Sequence, residues 1–404
     1  MEFRARWPWS LAPSLWIGWA CVCAAVTVFA FRTNLDAFWA PGPAFHTAIL
    51  VALPLAVAAC ALYCWLRSAP VRRAELPLLA MAPLGPALVY APVGLLTVAL
   101  IAAAAGALGG RALERLEVEV RGGAERVVLA VGVGLAGLIA AFTALGLARL
   151  YHPLTFVLLL SLVSLWGWRR LAEILASLKV APRRWAEDPE TASALTGAAV
   201  FFCAIFLGVA TMLALAPSVA HDALMMHLPA ARHYAMTGGL EPLPGQPYSF
   251  YPQGAETVMA AAYSLGGQPA VQLVHPLFFM LALGAVYALA RRLGGGRGAA
   301  LFAASLLLAT PFALWDGSVI KNDFAVAAMQ ILALLCAVGE PAGKGRLRLG
   351  VLLLATSLAV KQTAVFGIAA IGLVLLWRVR HRSGALREVA LWAAIGVLVP
   401  IGWP

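Results

Sequence analysis

The polar interval between residues 217 and 256 is the part of this chain best suited to chemistry on a water-soluble group. A carboxylate or an imidazole can take a proton from a hydroxyl group, and an arginine can bind a phosphate through two parallel hydrogen bonds. We therefore predict a catalytic or binding site in this interval. Its ionisable side chains are His221, Asp222, His227, Arg232, His233, Glu241 and Glu256.

Two polar breaks in later apolar stretches could add charged groups to the same site. Residues 315–323 read WDGSVIKND, and a Lys-Gln pair divides the apolar stretch from 349 to 377. Ionisable groups at a membrane boundary are costly unless they face water or a partner, so we expect the breaks to meet near Asp222 around one cavity. For the lysines, an interfacial side chain that reaches the headgroups is the alternative. The residues added are Asp316, Lys321, Asn322, Asp323, Lys361 and Gln362.

The elements that position these residues are predicted to be membrane helices. The chain has 404 residues, of which 62% are hydrophobic and 12% charged, and its mean hydropathy is +0.88. Its apolar runs are continuous and about 20 residues long, which is enough for a helix to cross a bilayer. We predict an all-α polytopic membrane protein with about 12–13 transmembrane helices. The expected spans are 8–31, 46–66, a proline-interrupted hairpin within 76–109, 127–148, 151–168, 194–216, 269–290, 299–315, 324–339, 349–360, 363–377 and 389–404.

The distribution of charge predicts how these helices are oriented. When the N-terminus is placed inside, most of the 29 lysines and arginines fall in segments on the inner side, as the positive-inside rule requires. The polar interval then faces the outer side of the membrane. The net charge of +11 is explained by this topology, so no nucleic-acid partner is predicted. The acids among the inner arginines, including Glu125, are expected to be solvated loop charges, and Glu75 is also placed on the inner side.

Cysteine and histidine spacing gives no support for a metal centre. The six cysteines lie in apolar spans without a CxxC pair, so neither disulfides nor metal ligands are expected. His221, His227 and His233 are six residues apart, which separates successive side chains by about 120° on a helix. No cofactor is predicted with certainty, and a divalent metal stays open. His275 is expected to be a hydrogen-bonded packing residue.

Several motifs, taken in order, resemble those of a known superfamily. They are HDALMMHLPAARHYAMTGG (221–239), SFYPQGAE (249–256), WDGSVIKNDFAVA (315–327) and LAVKQTA (358–364). Their order resembles that of the bacterial membrane glycosyltransferases of the GT-C superfamily, relatives of the protein O-mannosyltransferases and of the lipid A aminoarabinose transferases. The resemblance covers about residues 194–404. Many relatives have Asp-Glu where this chain has Asp222 followed by Ala223.

This resemblance implies a fold and a domain organisation. Residues 191–404 would form a GT-C-like core, in which 253–267 matches the in-plane helices of the periplasmic loop. Residues 1–190 would be an N-terminal transmembrane region of unknown role. The chain stops inside the last span of the core, so a C-terminal truncation is expected.

The resemblance also implies a reaction, in which a sugar passes from a polyprenyl-phosphate donor to a hydroxyl on a lipid, glycan or protein, with inversion. Asp222 would be the general base, with Glu256 or Asp323 in the second acidic role. The predicted substrate-binding residues are His221, His227, Arg232, Lys321, Asn322, Lys361 and Gln362. A secondary transporter and a non-catalytic membrane subunit are the alternatives.

Overall fold

The computed structural model describes residue 58 and residues 61–338, 343–381 and 384–401. The regular structure of this part of the chain is helical, without strands. The predicted span 8–31 and most of the span 46–66 lie outside the described residues. The α-helices are α1 (Ala69–Tyr90), α2 (Pro92–Arg115), α3 (Gly123–Leu147), α4 (Pro153–Trp166), α5 (Trp168–Glu187), α6 (Ala194–Leu215), α7 (Leu228–Thr237), α8 (Gly254–Arg292), α9 (Arg297–Ala309), α10 (Pro311–Ser318), α11 (Asp323–Ala337), α12 (Lys344–Val360), α13 (Val365–Val379) and α14 (Ala385–Ile401).

Four of these helices, α2, α3, α6 and α8, are long and apolar enough to cross a membrane. Two bent pairs could each form one more span: α4 with α5, bent by 74°, and α9 with α10, bent by 76°. The described chain is therefore an all-helical, multi-pass membrane protein. Of the 12–13 transmembrane helices predicted for the whole chain, the described residues contain four to six of spanning length. The segments expected at 324–339, 349–360 and 363–377 form helices of 15, 17 and 15 residues.

The helix breaks follow proline and glycine. The predicted hairpin within 76–109 is confirmed as two helices, separated at Ala91 where Pro92 begins α2. Helix α8 is interrupted at Gly267, which has a φ of 65° that side chains with a Cβ atom rarely adopt. The part of α8 that precedes this break, Gly254–Ala262, is buried. This segment therefore packs in the interior of the bundle, and the match of 253–267 to the in-plane helices of the GT-C core stays a prediction.

Helices α2 and α3 pack closely through small residues. A Cβ atom added to Gly134 would lie 1.7 Å from the backbone oxygen of Ala105, and one added to Gly109 would lie 1.8 Å from that of Ala130. Each helix thus contributes a pair of small residues four positions apart, which lets the two backbones approach as in many membrane helix pairs. This contact fixes the centre of the bundle. It also aligns α3 with helices from the second half of the chain, since Gly132 faces Leu332.

The charged residues divide between two ends of the bundle. One end, here called the basic end, comprises residues 67–75, 111–126, 169–193, 291–297, 344–348 and 384–388. The other, here called the loop end, comprises residues 149–151, 217–256, 316–323 and 361–362. No ion pair among the described residues joins the two ends. Representative pairs are Arg170 with Glu114, Arg297 with Asp188 and Arg346 with Glu125 at the basic end, and Arg149 with Glu241, Lys321 with Asp222 and Lys361 with Asp323 at the loop end.

Two acids of the inner side are buried at the basic end. Glu125 accepts a hydrogen bond of 2.7 Å from Arg346, and a guanidinium nitrogen of Arg292 lies 3.6 Å from the same carboxylate. Glu75 is paired with Arg67 and accepts a hydrogen bond of 2.6 Å from the Trp185 indole. The prediction of a solvated charge was wrong for Glu125, because arginines distant in the chain supply counter-charges that allow its burial.

Candidate functional site

A widened helical turn at Ala223–His227 sets the geometry of the predicted base. Leu228 donates its backbone N–H to the carbonyl of Ala223, five residues earlier, in place of the usual four. Pro229 explains the change, because it has no N–H to donate and its ring would clash with the carbonyl of Met225 in a regular α-helix. Such π turns are frequent at functional sites. The wider turn leaves the Asp222 side chain half exposed and directs His227 into the interior.

The ammonium group of Lys321 stands between two carboxylates. Its Nζ lies 3.4 Å from Oδ2 of Asp222 and 3.1 Å from Oδ1 of Asp316. It also lies 4.9 Å from the centre of the Trp315 ring, within range of a cation–π contact. The hairpin 315–323 was expected at the surface, but Asp316 and Lys321 are both buried. Mutual neutralisation makes this burial tolerable, so Lys321 is a paired cation and not an interfacial one.

The environment of Lys321 keeps it charged. Burial of the ammonium lowers the pKa of Lys321, but its hydrogen bond to Asp316 and the charges of Asp316, Asp323 and Asp222 outweigh burial and raise the pKa above its usual value. Lys321 therefore remains an ammonium group at neutral pH. A fixed positive charge beside a half-exposed carboxylate is an arrangement that can attract a phosphate.

Glu256 joins the segment of Asp222 to the segment of Lys321. Its Oε1 lies 2.6 Å from Nδ1 of His227 and accepts a hydrogen bond of 3.1 Å from Nδ2 of Asn322. Asn322 is next to Lys321 in the chain, and His227 is one π turn from Asp222. The Glu256 side chain is 1% exposed. A buried carboxylate with these two partners connects the helix that carries Asp222 to the loop that carries Lys321.

Asp323 and Lys361 form a second pair at the loop end. Lys361 donates a hydrogen bond of 2.6 Å to Oδ1 of Asp323, and both side chains remain partly exposed. Lys361 interrupts the chain in an extended conformation between α12 and the short helix Gln362–Ala364, so the predicted break is confirmed. Lys321, Asn322 and Asp323, at the junction between this loop and α11, thus contact four partners: Asp222, Asp316, Glu256 and Lys361. This loop is the centre of the site.

The structure brings together most, but not all, of the predicted residues. His221 lies beside Asp222, with 3.6 Å between Nδ1 and Oδ1. Arg232 and Gln362 are exposed, and neither makes an ion pair or side-chain hydrogen bond with another described residue. A phosphate contact through Arg232 stays a prediction. So do the catalytic roles of Asp222, Asp323 and Glu256.

His275 and Asp316 are buried ionisable residues whose pairing the sequence did not reveal. His275 is completely buried, and neither ring nitrogen makes a hydrogen bond of normal geometry with a described residue. Its Nε2 lies 3.9 Å from Oδ2 of Asp316, and its ring packs edge to face against Phe324. The expectation of a packing residue is confirmed by its complete burial.

Among the described residues, no group of three or more His, Cys, Asp or Glu side chains is arranged to hold a metal ion. The structure also describes a cavity of about 220 Å³ at the basic end, lined by residues of α2, α3 and α5. That cavity is distant from the predicted site.

The fold and the site define the class of this protein as an all-helical membrane protein with a charged cluster at one end of its helices. Comparison with known families, with curated proteins and with solved structures gives no match. The GT-C resemblance therefore rests on the residues alone.

Proposed function

We propose that the chain is an integral membrane glycosyltransferase that uses a polyprenyl-phosphate sugar at its loop end. The observation that supports this proposal most is the contact between the Lys321 ammonium and the half-exposed carboxylate of Asp222. Transfer to a hydroxyl requires a group that takes a proton and a cation that offsets the charge of the departing phosphate. The loop end supplies both within one contact distance.

The proposed order of events follows from the pairing of Lys321. A donor phosphate entering the site attracts the Lys321 ammonium, which frees Oδ2 of Asp222 from its ion pair. Asp222 then takes the proton of the acceptor hydroxyl, whose oxygen forms the new bond to the anomeric carbon. The bond from that carbon to the phosphate oxygen breaks, and its electron pair leaves with the lipid phosphate. Lys361 and Arg232 are further candidates for contact with this phosphate.

In this proposal, Glu256 positions the reacting groups. Its carboxylate is buried, so it acts through His227 and Asn322 and holds the Asp222 segment against the Lys321 segment. Asp323 is partly exposed and paired with Lys361, which suits it to orient a phosphate-binding lysine. In this proposal, neither Glu256 nor Asp323 acts as a second catalytic acid.

A secondary transporter is the second candidate, and one observation favours it. His275 is an ionisable residue in a buried helix, without a hydrogen bond of normal geometry and 3.9 Å from Asp316. Buried ionisable residues in membrane helices often belong to ion or proton pathways.

The two candidates are separated by an assay on sealed proteoliposomes that contain the full chain. We expect radiolabelled sugar to pass from polyprenyl phosphate to acceptor extracted from cell envelopes. Lys321→Gln should reduce this transfer, while Arg149→Gln, which removes a cation paired with Glu241 at the same end, should not. Uptake of a labelled solute without any transfer would contradict the transferase and support the transporter.

The loop end is proposed to face the periplasm of a bacterial inner membrane, because the basic end gathers most of the arginines. Cysteine labelling tests this orientation in a background without the native cysteines. Pro244→Cys, at an exposed loop-end position, should react with a membrane-impermeant thiol reagent in intact spheroplasts. Arg121→Cys, exposed at the basic end, should react only after lysis. The reverse pattern would contradict the orientation.

A further inference from the structure

The corner between α4 and α5 has the features of a membrane interface. Trp166 ends α4 and Trp168 begins α5, and both rings are exposed. Arg111 and Arg115 of α2 lie over the Trp166 ring, with distances of 5.2 and 5.9 Å to its centre. Tryptophan is enriched at the level of the lipid headgroups. If α4 crosses the membrane, this corner lies at its boundary.

Gly167 allows the chain to turn at this point. An added Cβ atom would lie 2.6 Å from the backbone oxygen of Ala107, so a larger residue would push the corner away from α2. Helix α5 departs from α4 at 74°. A helix at such an angle to a membrane-spanning neighbour runs along the membrane surface instead of through it.

Helix α5 carries three different faces. Ile174 and Trp185 are buried against the bundle, and Trp185 anchors the helix by its hydrogen bond to Glu75. A second face is an apolar stripe whose members recur at helical spacing. Three of its four members are at least half exposed, and the stripe consists of Trp168, Leu171, Leu175 and Leu178. Leu171 is partly covered by α2 near Gly106, and the other three side chains remain exposed.

The cations of α5 border the apolar stripe. Lys179 lies four residues after Leu175, and Arg183 lies four residues after Lys179, so both follow the edge of the stripe. The helix has five basic and two acidic residues. At the edge of the stripe, Lys179 forms no ion pair within the part of the chain that the structure describes, whereas Arg183 pairs with Glu187 at 2.8 Å. An unpaired cation beside an exposed apolar stripe is complementary to an anionic lipid surface.

We propose that α5 is an interfacial helix that binds anionic phospholipids at the basic end. The stripe from Trp168 to Leu178 enters the boundary between headgroups and acyl chains, and the unpaired Lys179 contacts the phosphates. This surface is independent of the loop end and of the chemistry proposed there.

A fluorophore on α5 of the reconstituted full chain tests the proposal. An NBD group is attached to Leu175→Cys, or to the adjacent Ala176→Cys on the solvent side, in a background without the native cysteines. The vesicles contain phosphatidylcholine alone or a mixture of phosphatidylcholine and phosphatidylglycerol. In the mixed vesicles, the spin-label quencher is carried by one of the two lipids at a time, so that quenching by each can be compared. We expect lipid quenching at position 175 and quenching by aqueous cobalt at position 176.

The preference for phosphatidylglycerol over phosphatidylcholine at position 175 should fall roughly fivefold in Lys179→Gln. Arg184→Gln removes the same charge from the far side of the helix and should leave the preference unchanged. Equal quenching by the two lipids in the unmodified charge background would overturn the anionic preference. Cobalt quenching at position 175 would contradict the proposed contact of α5 with the membrane. Protection of position 175 from both quenchers would also contradict it, since a second copy of the chain would then cover this surface.

Discussion

Asp222→Asn is expected to reduce sugar transfer by roughly 10²-fold to 10⁴-fold while donor binding survives. The amide keeps the size of the carboxylate but cannot accept the proton of the acceptor hydroxyl. The fold should tolerate the change, because Lys321 retains Asp316 as its counter-ion at 3.1 Å. Single-turnover transfer and equilibrium binding of labelled polyprenyl-phosphate sugar measure the two effects separately.

The matched control for this experiment is Glu241→Gln. Glu241 lies at the same end of the bundle, and its carboxylate forms an ion pair with Arg149, with 2.7 Å between the guanidinium nitrogen and the carboxylate oxygen. The change from acid to amide is the same, so any general effect of lost charge appears in both variants. Transfer at the normal rate in Asp222→Asn would remove Asp222 from the role of base, and an equal loss in both variants would make the effect nonspecific.

Glu125→Ala is expected to lower the free energy of unfolding by about 3–5 kcal/mol. The carboxylate of Glu125 faces Arg346 at 2.7 Å and Arg292 at 3.6 Å, and all three side chains are buried. Removal of the acid leaves two guanidinium groups with no other ion-pair partner among the described residues. Denaturant titration of the purified protein in mixed micelles measures the loss.

Glu119→Ala provides the comparison for Glu125→Ala. Its side chain is exposed in the same segment, although its backbone oxygen accepts a hydrogen bond from Arg346 that alanine preserves. The change in unfolding free energy should stay within about 0.5 kcal/mol, as is usual for surface positions. Similar losses for the two variants would show that burial at Glu125 does not matter.

Much of the fold could be predicted because it depends on local sequence. The apolar runs predicted helices, and the breaks near Lys321 and at Lys361 were found from polar residues within those runs. Pro229 was an available signal for the π turn, since a proline inside a helical pattern removes one backbone donor. The separation of charges between two ends followed from the positive-inside rule.

Burial of individual charges could not be predicted, because it depends on distant partners. Glu125 and Glu119 look alike in the sequence, yet only Glu125 meets Arg346, which is 221 residues away. Glu256 likewise becomes buried through Asn322, which is 66 residues away. A single sequence carries no signal for such pairs. The bounds of α11 and α13 were predicted to within two residues, whereas α12 begins five residues before its predicted start at 349, because Lys344, Arg346 and Arg348 interrupt the apolar pattern there.

The most direct test of the proposed active site is a structure of the protein with a polyprenyl-phosphate sugar bound. We predict density for the phosphate at the loop end, in contact with Lys321, Lys361 or Arg232. The anomeric carbon should lie where a hydroxyl held by Asp222 can reach it from the face opposite the phosphate. Density for the donor at the basic end, or at the loop end with its phosphate away from all three cations, would contradict the proposal.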